Sequence, residues 1–447
     1  MFMIKLNEIK KCNFNFLVLS IYLILLVFIP KDLGTLFGVI PVRLVLSILF
    51  LFTIFFYNKN EIFKLKSAAI KFLIVIYLLF LLFTIPSIFV SKSILTSCYT
   101  FIKFLIIPFL AIVCFNFKPN EYDKKLFWTT IIFITLLLVI ISFIQYSFNI
   151  DLIKLGVEKY PGAKGRVSTT FFNTIYYGIF LNLVYCLFFT KFIKSNNVKM
   201  NIFYFILVNC IFVSLLLTFT RSAFLIFSGI LFLLIVLTIN KKNIVKDLFV
   251  IMFVISLIFI VPGAKYMVYD SINDGTELLF KVKLFEKKSD TKYNGDLSLI
   301  HREQFADIAK KVGNDNLFTG IGFGTYINYM NSDDFNNLYP NYNGSKTHPH
   351  SAFVLMYSET GIISTILFFL FSICIPLYSL VKIIKNIKQR KDYNYMIYVL
   401  AFVISIGFLI VNIIAENAVY DTQIFPLYIL IIFTLYSFIN KSKFGVK

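Results

Sequence analysis

Histidine is nearly absent from this chain, with three residues in 447. Charge of either sign is scarce at 15%, and acid is the scarcer kind, 23 Asp and Glu against 43 Lys and Arg. The six cysteines (Cys12, Cys98, Cys114, Cys186, Cys210 and Cys374) lie in or beside apolar segments, and no CxxC spacing occurs. Neither a cysteine zinc site nor an extracellular disulfide framework is suggested. The thiols read as small packing residues. The net charge of +20 would suit nucleic acid only if the basic residues shared one soluble face. The one large polar segment, 263–350, has ten Lys/Arg against eleven Asp/Glu, so no nucleic-acid partner is expected. There is no internal repeat and no low-complexity run beyond a Lys/Asn/Ile/Phe bias.

What the chain does have is hydrocarbon. Hydrophobic residues make up 59% and the mean hydropathy is +0.82, which places it among polytopic membrane proteins. Each run of ~20 apolar residues spans a bilayer as a helix, because a helix satisfies its own backbone hydrogen bonds. Twelve such runs are expected, near 14–30, 34–57, 69–90, 98–117, 127–148, 171–190, 201–219, 222–240, 246–262, 352–381, 394–415 and 423–440. The first is too internal for a cleaved signal peptide. The fold class is all-α. The chain divides into a membrane domain over residues 1–262, a large loop over 263–350 and a second membrane domain over 351–447.

Every second connection is basic. Lys5, Lys10 and Lys11 precede the first run, and Lys59, Lys64 and Lys66 follow the second. Further lysines follow the fourth, sixth, eighth, tenth and twelfth. Under the positive-inside rule both termini are cytoplasmic and the number of spans is even. The remaining connections, including 149–170 and 263–350, then face outward.

Within the long loop, residues 297–312 carry an apolar face, with Lys310 and Lys311 in the last turn and Gly313 placed as a C-cap. Thr319 to Gly324 follows, with glycines at 320, 322 and 324. No βαβ unit surrounds it, so it reads as a tight turn packed on the membrane face rather than a nucleotide loop.

The outward polar residues are few and of a kind. Arg166 precedes the sixth run, Arg221 sits in the turn between the seventh and eighth, Arg302 lies on the loop helix, and His348 and His350 close the loop. A lone arginine in such a turn also suits snorkelling to headgroups. Together they suit phosphate, since guanidinium is a fixed fork of donors that stays charged. Histidine titrates near neutrality and can take a proton from an attacking hydroxyl. These groups fit a lipid-diphosphate-activated glycan, which needs no nucleotide outside the cell. His301 reads as an exposed loop residue. Arg43 and Lys103 lie within spans near the outer leaflet, as second-rank diphosphate contacts.

Over nearly its full length the chain resembles the O-antigen ligase and O-antigen polymerase superfamily. The resemblance rests on His350-Ser351, nine residues, and Gly361, with Ser364 departing from the pattern's last position. Glu359-Thr360-Gly361-Ile362-Ile363 is similar to its Glu-Thr-Gly-hydrophobic stretch. Arg166 with Asn173 resembles its first outer motif, though Thr169 stands where glycine is usual. Arg221 after Thr220, and Arg302 followed by Gly320 to Gly324, resemble two more.

The resemblance implies a metal-independent glycosyltransferase without cofactor, in the cytoplasmic membrane and facing outward. It implies an undecaprenyl-diphosphate-linked oligosaccharide donor, a glycan or lipid acceptor, and membrane lipids as surroundings. A flippase and a chain-length regulator fit as partners. His350 becomes the candidate general base, Arg221 and Arg302 the diphosphate ligands, and Arg166, His348 and Glu359 supporting residues. Glu359 also fits a helix-dipole partner or a contact to an arginine. Polymerisation of repeat units is the adopted reading: Arg302, ten residues and Gly313 fit a polymerase loop, while the histidine signature favours ligation. A transporter or flippase is the alternative of another class. It would concentrate polar groups at the midplane and show two related halves, and this sequence does neither.

Overall fold

The computed structural model describes residues 6–29, 35–36, 40–58, 67–148, 150, 165–171, 173–238, 244–280, 295–338, 347–387, 392–415 and 417–440. For 274–280 and 295–303 it describes the backbone alone. Helices α1 (Leu6–Ile9) and α2 (Phe14–Phe28) lead to a two-residue antiparallel pair, β1 (Thr35–Leu36) and β2 (Ile40–Pro41). Four helices follow: α3 (Val42–Asn58), α4 (Ala68–Val90), α5 (Ile94–Asn116) and α6 (Glu121–Ser147). Next come α7 (Thr174–Lys194), α8 (Val198–Leu217), α9 (Arg221–Thr238), α10 (Ile244–Ile260) and α11 (Ala264–Phe280).

The loop contributes α12 (Gly295–Asp315), α13 (Tyr326–Met330) and α14 (Asp333–Leu338). The chain closes with α15 (Ala352–Lys385), α16 (Tyr393–Ile410), a π-helical turn Val411–Ala415, a short 3-10 turn Ala418–Tyr420, and α17 (Ile424–Asn440).

Eight of the described helices, α4 to α9, α15 and α16, are long and apolar enough to cross a membrane. A ninth candidate is the pair formed by α10 and α11, bent by 111°. Three shorter apolar helices, α2, α3 and α17, accompany them. These elements fall on the twelve expected runs, and the protein is an all-α polytopic membrane protein. α7 is the central post, with 89% of its apolar window buried against neighbours. α4 and α15 turn more of theirs outward, with only 44% and 33% buried, as peripheral helices do when lipid replaces protein.

Some boundaries differ from those expected. The second run begins as the β1–β2 pair, and its helix starts only at Val42. Pro41 stands just ahead of it, where a missing N–H costs nothing. α6 starts six residues before the apolar run because Asn120 and Asp123 form a reciprocal capping box. The ninth run ends at Pro262-Gly263, where Gly263 takes φ +80° and lets the chain turn sharply into α11. Gly313 is not a cap. α12 continues through it to Asp315, and a Cβ at Gly313 would come within 2.5 Å of the Tyr357 ring. That glycine is there for close packing against α15. α12, α13 and α14 bury a small core of their own, Ala309, Tyr326, Met330 and Phe335, on Leu355 of α15.

Candidate functional site

Hydrogen bonds sort the connections into two ends. At one end the Asn13 amide donates to Asp123, the Asn120 side chain donates to the Lys11 carbonyl, and Lys125 pairs with Glu8. Lys124 and Lys194 both approach the Tyr393 ring, and Lys246 donates to the Ser195 carbonyl. Among the described residues, basic connections that sequence groups by alternation are thus neighbours in space.

The opposite end carries a different chemistry, tied together around the last turn of α2. Arg43 donates through Nε and Nη2 to the Ile29 carbonyl, at 2.9 and 2.7 Å. Thr170 and Gln423 both donate to the Val27 carbonyl, at 2.9 Å each. A helix leaves its last carbonyls without intrahelical donors, and a cation there also complements the dipole. Arg43, expected as a second-rank phosphate contact, is directed to this cap and is 2% exposed.

From Thr170 the layer runs to the arginine turn. Arg166 donates to the Thr218 carbonyl (3.1 Å), to Thr174 Oγ1 (2.7 Å) and to Thr220 Oγ1 (3.1 Å). Val167 adds a backbone bond to Leu217. Arg166 therefore fixes the turn from which Arg221 emerges as the first residue of α9. Thr169, in the place where the resembled family has glycine, takes φ +53°. A β-branched residue is strained there. It is held because Gln145 Oε1 accepts the amides of Ser168 and Thr169 at 3.3 and 3.0 Å. Thr169→Gly is expected to raise stability by about 1 kcal/mol, after glycine's own entropic cost. Thermal unfolding in detergent checks this, and an unchanged or lower midpoint would count against strain at that residue.

From Gln423 the layer runs the other way. Asp421 accepts the amides of Gln423 and Ile424 and so starts α17. Next to it, the Tyr420 hydroxyl donates to Glu359 Oε2 at 2.8 Å. Glu359 is fully buried and also accepts the amides of Gly324 (2.8 Å) and Tyr326 (3.0 Å). The expectation of a helix-dipole partner or an arginine contact gives way to a carboxylate that clasps the glycine turn.

The turn and α15 complete each other through their backbones. Gly361 sits inside α15 at φ +81° and ψ 177°, which breaks the helix after two and a half turns. The carbonyls of Ser358 and Glu359 lose their helical donors at such a break. They accept instead from the amides of Ile321 (3.0 Å) and Gly322 (3.1 Å), while the Ile362 amide donates to Leu317 (2.8 Å). Gly320 presses on the backbone of Glu359, with no space for a Cβ. The Glu-Thr-Gly and glycine-triplet motifs, 35 residues apart from Gly324 to Glu359, are two halves of one joint.

Both histidines of the 347–351 stretch lie just before α15, which carries one half of the joint. His348 lies near-parallel to the Tyr326 ring, centroids 6.4 Å apart, and the Tyr326 amide is one of the two held by Glu359. His350 is half-buried just before Ser351, the residue that leads into α15. Lys103 on α5 lies over the Tyr99 ring at 4.7 Å and within electrostatic reach of Glu359. Arg302 and His301 fall on α12, but their side chains lie outside the described residues. One hydrogen-bonded layer thus joins the Arg166–Arg221 turn to the Glu359 joint. Gln145, Tyr420, Asp421 and Gln423 belong to it and escape a reading of the sequence. Only the Asp421-x-Gln423 spacing ahead of an apolar run signals one of them.

The fold and this layer define a class: a many-helix membrane protein in which Arg43, Arg166 and Arg221 lie at the end opposite the described basic connections. Residues 205–369 match the family model for O-antigen ligase. That stretch contains Arg221, Arg302, the glycine turn, His348, His350 and the Glu359–Gly361 break, and the match supports the O-antigen ligase and O-antigen polymerase superfamily for this chain. The match supports a membrane enzyme of glycan assembly. No curated protein matches the chain.

Proposed function

We propose that this protein transfers a glycan from an undecaprenyl-diphosphate carrier to an acceptor hydroxyl, at the outer face of the cytoplasmic membrane, during surface polysaccharide assembly. The observation that carries the reading is the polar layer joining the Arg221 turn to the Glu359 joint, at the end away from the basic connections. Under the positive-inside rule that end faces outward. His350 removes the proton from the acceptor hydroxyl as its oxygen bonds to the anomeric carbon. The anomeric carbon–oxygen bond to phosphate breaks, and the lipid diphosphate leaves with the electron pair. Arg221 and Arg302 stabilise the charge that grows on it, needing no metal for that task. Arg166 keeps Arg221 in place, and His348, Glu359 and the glycine turn keep α15 and His350 in place.

The adopted acceptor is a second carrier-linked repeat unit, which makes the reaction polymerisation. Ligation of a finished chain to a lipid core or protein is the second reading, favoured by the O-antigen ligase match. The test is the carrier-linked glycan profile of a deletion strain beside one complemented with Arg221→Ala. Single repeat units accumulating on the carrier in both indicate polymerisation, and long chains stranded on the carrier indicate ligation. An unchanged profile in both strains would overturn the proposal. Glycan crossing liposome membranes with no new glycosidic bond would make the protein a carrier instead.

A further inference from the structure

α12 runs beside the first turns of α15 and in the same direction. The Tyr357 hydroxyl donates to Asn314 at 2.7 Å, and the Ile362 amide donates to the Leu317 carbonyl at 2.8 Å. The end of α12 therefore meets α15 at its Gly361 break. Residues 362–381 separate that break from Lys382 in the basic last turn, and ~20 helical residues cover the ~30 Å of a hydrocarbon core. The far boundary of the hydrocarbon thus falls at the break, and residues 352–360 stand outside it. The α4–α5 connection lies at the same height. The Gly322 amide donates to Glu359, and a Cβ on Gly322 would meet Ser91, just past α4, at 2.6 Å. On either side of Ser91 the chain is apolar and open, with Phe89 78% and Leu95 84% exposed.

The loop changes character at this height. Along α12 the exposed side chains are polar, Asp307, Lys310, Asn314 and Asp315. Then come Leu317 and Phe318, 38% and 68% exposed. A Cβ on Gly361 would press on the Phe318 carbonyl at 2.5 Å, so the backbone of Phe318 is seated at the break itself. Past Ile362, on the same face of α15, Ile366 and Phe369 are exposed as well. The apolar surface is therefore continuous from the loop onto the lipid-facing side of a span. A polar helix that ends in open Leu and Phe at the edge of the hydrocarbon has the makings of an interfacial anchor.

We propose that Leu317 and Phe318 insert into the outer leaflet and anchor the large loop on the membrane, with phospholipid as the partner. The anchor holds α12 and the glycine turn at the height of the lipid headgroups. It goes beyond glycan transfer and stands whether or not that reading does.

The chain has a single tryptophan, so Trp128→Phe gives a silent background in which Phe318→Trp or Lys310→Trp reports on one position of the full chain. The chains are placed in vesicles of phosphatidylethanolamine and phosphatidylglycerol brominated near the headgroup end of the acyl chains. Emission from Phe318→Trp should fall at least ~2-fold against unbrominated vesicles, and aqueous acrylamide should quench it weakly. Lys310→Trp, about two turns back along α12, should show the reverse. Phe318 is exposed, so its exchange disturbs no core, and thermal midpoints in detergent equal to wild type show that the folds are intact. Strong acrylamide quenching of Phe318→Trp with no loss to bromine overturns the anchor and leaves this surface to a protein partner. Equal bromine quenching of both variants also overturns it, since the loop would then lie in lipid without a particular point of entry.

Discussion

Replacing His350 with alanine is expected to abolish glycan transfer while leaving the amount and folding of the protein in the membrane unchanged. A positioned general base contributes ~10²–10⁴-fold to a proton transfer, so single-turnover transfer in vesicles should fall by at least ~10²-fold. His350 stands just before Ser351 and α15, and the hydrogen bonds of Glu359 and the glycine turn are made by other residues. His348→Ala makes the comparison informative. His348 lies against the Tyr326 ring, so its loss should cost a smaller factor through positioning. Wild-type rates in the His350 variant would remove it from the mechanism, and equal losses in both would argue for a shared packing role.

Glu359→Ala is expected to unfasten the glycine turn. The substitution strands the amides of Gly324 and Tyr326 and the Tyr420 hydroxyl in a buried setting. Each orphaned buried donor costs ~1–3 kcal/mol, so the local loss should be on the order of 3 kcal/mol or more. Proteolysis of the 313–338 segment should accelerate by at least ~100-fold in the variant, with the transmembrane helices still protected. Glu359→Gln keeps one acceptor oxygen but turns an NH₂ toward donors, and should fall between. If Glu359→Ala protected 313–338 as well as wild type, the carboxylate would not be the clasp. If it lost transfer without loosening the segment, Glu359 would instead act in the chemistry.

The carriers that compete with an enzyme reading use broken helices to line a midplane site, and α15 is such a broken helix. Its break differs in placement. The opened carbonyls of Ser358 and Glu359 are satisfied by the loop's own amides, two and a half turns from the start of α15. The break thus joins helix to loop, and these two carbonyls are already taken.

The class, the twelve apolar segments and the grouping of basic connections were legible in one dimension. They follow from local composition: a run of ~20 apolar residues needs no partner to be recognised, and alternation of charge is written in order along the chain. His350, Arg221, Glu359 and Gly361 could be located in the same way, because they stand in short motifs.

What several of these residues do depended on packing. Sequence offers Glu359 a helix dipole or an arginine, because charge is all that it shows of a carboxylate; its partners are amides 33 and 35 residues away and a phenol 61 residues away. Arg43 reads from sequence as a phosphate contact and Arg166 as a supporting one; in the fold Arg43 donates to the Ile29 carbonyl just past α2, and Arg166 to the Thr218 carbonyl and to the Thr174 and Thr220 hydroxyls. Gly313 looks like a cap because Cβ space against Tyr357 is invisible along the chain. Unsatisfied carbonyls at helix ends and at the Gly361 break attract whatever donors the fold brings near, and which donors those are is fixed only when the helices pack.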